Sequence, residues 1–217
     1  MKYRLAVFDM DGTILDTLED LRDSLNVILE KYGYPVRTLE EVRRFVGNGI
    51  LRLIEQAVPA ECSKEQVQKI YEEFVPYYQA HSAVKTRPYL GIVTLLSDLK
   101  AGGMKLAVVS NKADAAVQDL CKLYFDGLFD GAAGERAGMA KKPAPDMVEL
   151  VLTGMQISKE EAVYIGDSEV DVATAVNSGL ALCAVDWGFR DVEVLKANGA
   201  ELIFSDTESL KTYLLEE

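Results

Sequence analysis

Leu5-Ala6-Val7-Phe8 is a four-residue apolar run cut off at once by Asp9, Met10, Asp11 and Gly12. A run that short, ended by acids and a glycine, reads as a strand buried on both faces of a parallel sheet. Parallel neighbours are reached only through long crossovers, usually helical, so strand runs must alternate with helical periods. From Pro88 onward they do. The spacing predicts helices over 90–100, 113–123, 145–155, 170–178, 191–198 and 209–215. Between them fall strands over 106–109, 131–133, 162–165, 181–185 and 202–204. That alternation predicts an α/β fold, a three-layer parallel sheet with helices on both faces.

Residues 16–82 break the alternation. Leu18, Leu21, Leu25, Ile28, Leu29 and Tyr32 repeat at helical spacing, and Gly33 follows as a stop. Thr38 with Glu41 and Ser63 with Gln66 are capping boxes. Helices are expected over 38–45, 50–58 and 63–80, the last with Val67, Ile70, Tyr71, Phe74, Val75 and Tyr78 inward. The predicted division is therefore an α/β core of residues 1–15 and 83–217 with an inserted all-α domain of residues 16–82. Ligands of open α/β sheets collect beyond the carboxyl ends of the strands. An insert starting just past such an end is expected to hang over that crevice as a lid that excludes water and reads the substrate.

Composition removes several classes of function. No apolar run of the 217 residues approaches the roughly 20 needed to cross a membrane, and since the first residues read straight into a strand, no signal peptide is expected. Cys62, Cys121 and Cys183 are odd in number and widely spaced, which reads as reduced, buried thiols in a cytoplasmic protein. A net charge of -12 argues against nucleic acid as a partner. It also means that a phosphorylated substrate must be drawn by local cations or a metal. A single histidine, His81, argues against a His-activated nucleophile and a His-rich metal site. A monomer or homodimer is expected.

Two carboxylates at one strand end are costly unless a proton or a cation offsets them. A helix cap would explain one acid and Thr13, but not Asp9 and Asp11 together. Three later strand ends carry polar groups in the same relation to their strands. Ser110, Asn111 and Lys112 follow Val109. Lys141, Lys142 and Pro143 precede the helix that starts at Pro145. Asp167, Ser168 and Asp171 follow Gly166. Taken singly, Asp167 and Asp171 fit a helix cap and a solvated acid, and Ser110 fits a plain turn. Parallel strands put all of these groups on one edge with Asp9, which favours a shared site.

In order, Asp9-Met10-Asp11-Gly12-Thr13, Ser110-Asn111, Lys142-Pro143 and Gly166-Asp167-Ser168-x-x-Asp171 resemble the four signatures of the haloacid dehalogenase (HAD) superfamily. The resemblance covers the whole chain. Val46-Gly47-Asn48-Gly49, Lys142-Pro143-Ala144-Pro145 and Asp186-Trp187-Gly188-Phe189 resemble its phosphoglycolate phosphatase branch. It implies a Rossmann-like core with a helical cap, and a Mg²⁺-dependent phosphatase acting through an aspartyl-phosphate on a small phosphorylated metabolite. The candidate substrate is 2-phosphoglycolate. Asp9 would be the nucleophile and Asp11 the general acid and then base, roles their chemistry and spacing also support. The resemblance further implies Mg²⁺ held by the Asp9 carboxylate, the Asp11 backbone carbonyl and Asp167, with Asp171 just outside or alternating as a ligand. Thr13 and Ser110 would hold phosphoryl oxygens, Lys142 would offset charge, and Asn111 would orient the nucleophile loop or touch substrate.

Gly47 and Asn48 are candidates for binding the substrate through backbone N–H groups, against a plain interhelix turn. Arg43, Arg44 and Arg52 read mainly as solvated. Trp187 and Phe189 are expected to pack or line the rim. The alternatives are a sugar-phosphate phosphomutase, a pyrophosphatase, a phosphonate hydrolase, a dehalogenase and a non-enzymatic binding module. Thr17–Leu25 has no histidine for the mutase, Arg43–Glu55 has no lysine for the phosphonate hydrolase, and Asp11 is unneeded in a dehalogenase.

Overall fold

The computed structural model describes residues 2–216. The chain divides into two compact units: residues up to Leu15 together with those from Pro88 on, and Asp16–Arg87. Its strands are β1 Leu5–Phe8, β2 Leu15–Asp16, β3 Arg87–Pro88, β4 Lys105–Ala113, β5 Gly131–Glu135, β6 Ala162–Gly166, β7 Ala181–Val185 and β8 Ile203–Phe204. Six of them form one parallel sheet in the order β5-β4-β1-β6-β7-β8. The expected α/β class is borne out.

Strand β1 sits mid-sheet and all four of its residues are buried. Its side chains alternate between two layers. Ala6 and Phe8, with Leu106, Val108, Val163 and Ile165, pack against helices α5 (Ile92–Ala101), α6 (Asp114–Phe125) and α10 (Thr207–Leu215). Leu5 and Val7, with Ala107, Val109 and Tyr164, pack against α7 (Asp146–Met155). Each large side chain buried here contributes roughly 1.5–3 kcal/mol, and a one-residue slip would turn every one to the wrong face. Phe8 pairs with both Val108 and Ile165, so the residues that follow these three positions in β1, β4 and β6 lie at one level of the sheet. That register fixes where the site can be.

β2 and β3 are not among the expected strands, β5 runs two residues further than expected, and β4 differs most. β4 continues past Val109 through Ser110, Asn111 and Lys112 to Ala113, with its pairing to β5 shifting between Val109 and Ala113. Beyond the shift the ladder resumes at Ala113 and Glu135, so polar residues that resemble a turn are held as strand.

The second unit holds α1 (Leu18–Lys31), α2 (Leu39–Phe45), α3 (Ile50–Ala57) and α4 (Lys64–His81). Both expected capping boxes are present. Thr38 Oγ1 accepts the Glu41 N–H at 3.2 Å, and Ser63 Oγ accepts the Gln66 N–H at 3.2 Å. Leu25, Leu29, Val42, Leu53, Ile54, Ile70 and Phe74 form its buried interior. The unit reaches Arg87 because the buried Asp20 carboxylate accepts the N–H groups of Val84, Lys85 and Thr86 at 3.0, 2.9 and 2.8 Å, tying that segment to α1. The chain enters and leaves this unit through β2 and β3, which pair as a two-stranded sheet.

Candidate active site

The site grows from the loop that closes β1. The Asp9 N–H continues the ladder to the Ile165 carbonyl at 2.9 Å, and Thr13, Ile14 and Leu15 then turn their N–H groups back to the Met10 carbonyl. Gly12 has φ +91°, and a side chain there would overlap the Asp167 carboxylate. Glycine is required twice over, for the backbone and for the space.

One lysine organises the carboxylates. Lys142 Nζ lies 2.7 Å from Asp9 Oδ1, 2.8 Å from Asp171 Oδ1 and 3.0 Å from the Tyr164 hydroxyl. Its side chain is 2 % exposed, a burial that lysine tolerates only when paired. The main chain of Lys142 is gripped by Asn111, whose amide donates to the Lys142 carbonyl at 3.0 Å and accepts its N–H at 2.7 Å. Asn111 therefore braces the lysine, where the sequence suggested the nucleophile loop or the substrate. Lys141 is exposed, and of the two neighbours it is Lys142 that is buried among the carboxylates.

Asp167 is held from two sides. Thr13 Oγ1 donates to its Oδ1 at 2.9 Å and the Phe189 N–H to its Oδ2 at 2.7 Å. Trp187 Nε1 donates to the Thr13 carbonyl at 3.0 Å, so the 187–189 segment clamps the β1 loop as well as packing on the core. Gly188 makes this possible, since a side chain there would overlap both Asp167 and the Gly12 carbonyl. Asp171 belongs to α8 (Glu169–Ser178), whose cap is Ser168 rather than Asp167. Its Oδ2 accepts from the Ser168 hydroxyl at 2.6 Å, while Oδ1 takes Lys142 and the Tyr164 hydroxyl.

These contacts leave an excess of negative charge. Asp9, Asp167 and Asp171 each offer an oxygen within 4.8 Å of the others, and all three are buried. Burial, then the Asp171 charge, pushes the Asp9 carboxyl well above the usual range despite Lys142. The same two causes push Asp167 up to about 7, against the pull of the Phe189 and Thr13 hydrogen bonds. Burial works against the charge on Lys142, but Asp171 and Asp9 outweigh it and hold the ammonium well above the ordinary lysine value. One ammonium among three carboxylates is the charge deficit that a hard divalent cation makes good, and an all-oxygen donor set suits Mg²⁺.

Other predicted residues fall elsewhere. Asp11 turns from this cluster and pairs with Lys112, Nζ to Oδ1 2.9 Å. Ser110 is buried, and its hydroxyl accepts the Lys112 N–H at 3.2 Å. Gly47 and Asn48 lie in the turn between α2 and α3, with Gly47 at φ +117°. Arg44 and Arg43 pair with Glu40 and Arg52 with Glu55, as solvated arginines do. His81 stacks on Tyr77. Cys183 is buried, while Cys62 and Cys121 are only half-buried, and all three are unpaired. Sequence reasoning missed Tyr164, the Trp187 hydrogen bond and the Lys112–Asp11 pair. Lys112 stands beside Ser110-Asn111, but a lysine at a strand end carries no mark of burial.

The model of the haloacid dehalogenase-like hydrolase family matches residues 6–185, from the second residue of β1 to the last of β7. The chain belongs to the haloacid dehalogenase-like hydrolase family. The resemblance seen in the four motifs is thereby borne out. As a hydrolase of this family, the chain is 33% identical over 200 residues to the phosphoglycolate phosphatase of Caulobacter vibrioides, covering 90% of this chain and 84% of that protein. A solved structure from Lactobacillus delbrueckii is 40% identical, with a TM-score of 0.96 and both chains covered in full. CbbY from Rhodobacter sphaeroides, solved in complex with phosphate, is 25% identical over 96% of each chain, with a TM-score of 0.78.

Proposed function

We propose that this protein is a Mg²⁺-dependent phosphatase of a small phosphorylated metabolite, with 2-phosphoglycolate the first candidate. The observation that carries the reading is the buried Asp9 at the end of β1. It is joined to Lys142 and grouped with Asp167 and Asp171, with a second acid, Asp11, two residues on. Related proteins named phosphoglycolate phosphatase and a related fold holding phosphate support the substrate class.

Asp9 Oδ1 is tied to the Met10 N–H at 2.6 Å and to Lys142, which fixes the carboxylate and leaves Oδ2 as the attacking atom. Attack forms an oxygen–phosphorus bond and breaks the bond to the leaving oxygen. The electron pair departs with that oxygen, which takes a proton from Asp11. Water then attacks the aspartyl-phosphate and gives its proton to Asp11. Phosphate leaves and the Asp9 carboxylate is restored. Lys142 balances charge on Asp9 throughout. Thr13 and Ser110 are assigned to the phosphoryl oxygens.

Asp9, Asp167 and the Asp11 backbone carbonyl are the assigned ligands of Mg²⁺, which when bound neutralises charge on the phosphoryl group. Asp171, with both oxygens engaged, is assigned to support them. Gly47 and Asn48 are assigned to substrate on the motif resemblance, with Asp16–Arg87 as the cap. The test is hydrolysis of p-nitrophenyl phosphate and 2-phosphoglycolate with and without EDTA. Turnover that needs divalent metal and is abolished in Asp9→Asn supports the reading. Metal-dependent turnover surviving in Asp9→Asn overturns it.

A further inference from the structure

Lys112 is the one lysine besides Lys142 that this part of the structure buries, and nothing above gives it work. Its side chain is 5 % exposed, and its ammonium lies 2.9 Å from Asp11 Oδ1. Asp11 has no other side-chain partner among the described residues. The pair is not an accident of two flexible side chains. β4 lies directly beside β1 with Phe8 opposite Val108, so sheet register sets the distance between Lys112 in β4 and the loop that follows β1. The Lys112 main chain is fixed as well. Its N–H donates to Ser110 Oγ, and its carbonyl packs so closely on Gly134 that a side chain there would collide with it. An ammonium costs free energy to desolvate and its stem to order. An exposed Asp11 would need no such partner.

We infer that Lys112 is a positioning residue for Asp11. It grips one carboxylate oxygen so that the other is held in place to exchange the proton. The inference rests on the reading of Asp11 as acid and base. In the first half-reaction the leaving oxygen keeps the electron pair of the broken phosphorus bond and takes the Asp11 proton, leaving a carboxylate paired with Lys112. In the second, that carboxylate takes the proton of the attacking water.

The test uses the full chain with Mg²⁺ and two substrates of nearly equal size. Nitrophenolate departs from p-nitrophenyl phosphate without needing a proton, whereas phenyl phosphate releases a basic oxygen that needs one. The measure is the ratio of kcat/KM for the two, which reports events up to leaving-group departure. In Lys112→Met and Lys112→Gln the ratio is expected to shift roughly tenfold or more against phenyl phosphate, a fraction of what general acid catalysis supplies. Lys112→Arg, which keeps the charge, should return it toward wild type. Asp11→Asn should shift it in the same direction and at least as far. Equal loss on both substrates, or no shift in the ratio, overturns the role of Lys112. If Asp11→Asn leaves the ratio unmoved, the acid assignment itself falls and takes this inference with it.

Discussion

Asp167 gives the sharpest prediction, because one side chain should hold the protein's stability hostage to pH. In the unfolded chain its carboxyl titrates near 3.8, and in the fold burial and Asp171 push it up to about 7. Between those values the folded protein binds the proton more tightly than the unfolded one. Stability is therefore greatest on the acid side and falls as pH rises through the window. Three units of difference correspond to roughly 4 kcal/mol, fully lost by about pH 8. For a chain of this length that is about 8–16 °C in Tm. The assay is thermal unfolding in EDTA from pH 5 to 8, wild type against Asp167→Asn. The amide oxygen can still accept the Phe189 N–H and the amide nitrogen can donate to the Thr13 hydroxyl, but the group cannot ionise. The variant should melt higher than the wild type, by a margin that widens by roughly 3 kcal/mol between pH 5 and pH 8. Magnesium should close the gap at pH 8. Below about pH 7 its apparent affinity should fall about tenfold per unit, as the proton must leave first. A wild-type curve that stays parallel to that of Asp167→Asn across the range would refute the reasoning.

Two further outcomes follow from the same charges and from burial. Lys142→Met leaves Asp9 and Asp171 without their cation, and should cost about 3–5 kcal/mol in urea unfolding at pH 8 without metal. Since the Asp9 carboxyl is already held well above its usual range, the penalty should shrink toward pH 5 as the site takes up protons; an equal penalty at both would count against the pairing. Burial holds the Cys121 and Cys183 thiols up to about 12. Their alkylation by iodoacetamide at pH 8 should run on the order of a thousandfold slower than that of free cysteine, and mass spectrometry showing rapid native labelling at either would contradict their environments.

Much of the core could be read from residues alone because its causes are local. The run Leu5–Phe8 is apolar at every position, and only a strand covered on both faces uses it that way. Thr38 and Ser63 announce their helices because a cap and its partner sit three residues apart. What escaped depends on register between distant segments. Tyr164 looks like any strand aromatic until β6 is laid beside β1 and its hydroxyl meets Lys142. Trp187 is 174 positions from the carbonyl it bonds. Ser110, Asn111 and Lys112 resemble a turn by composition, yet remain in β4 because their side chains are used within the sheet edge: one accepts a backbone N–H, one braces Lys142, one meets Asp11.

The pairing of β2 with β3 has a consequence for how such a protein can change. Because the outgoing and returning chain run side by side at the junction, a segment of any length that brings its own ends together can be spliced there without disturbing the six-stranded sheet. The helical unit Asp16–Arg87 can thus be swapped, shortened or elaborated by recombination at two adjacent sites, while the acids on the neighbouring strand ends are inherited intact.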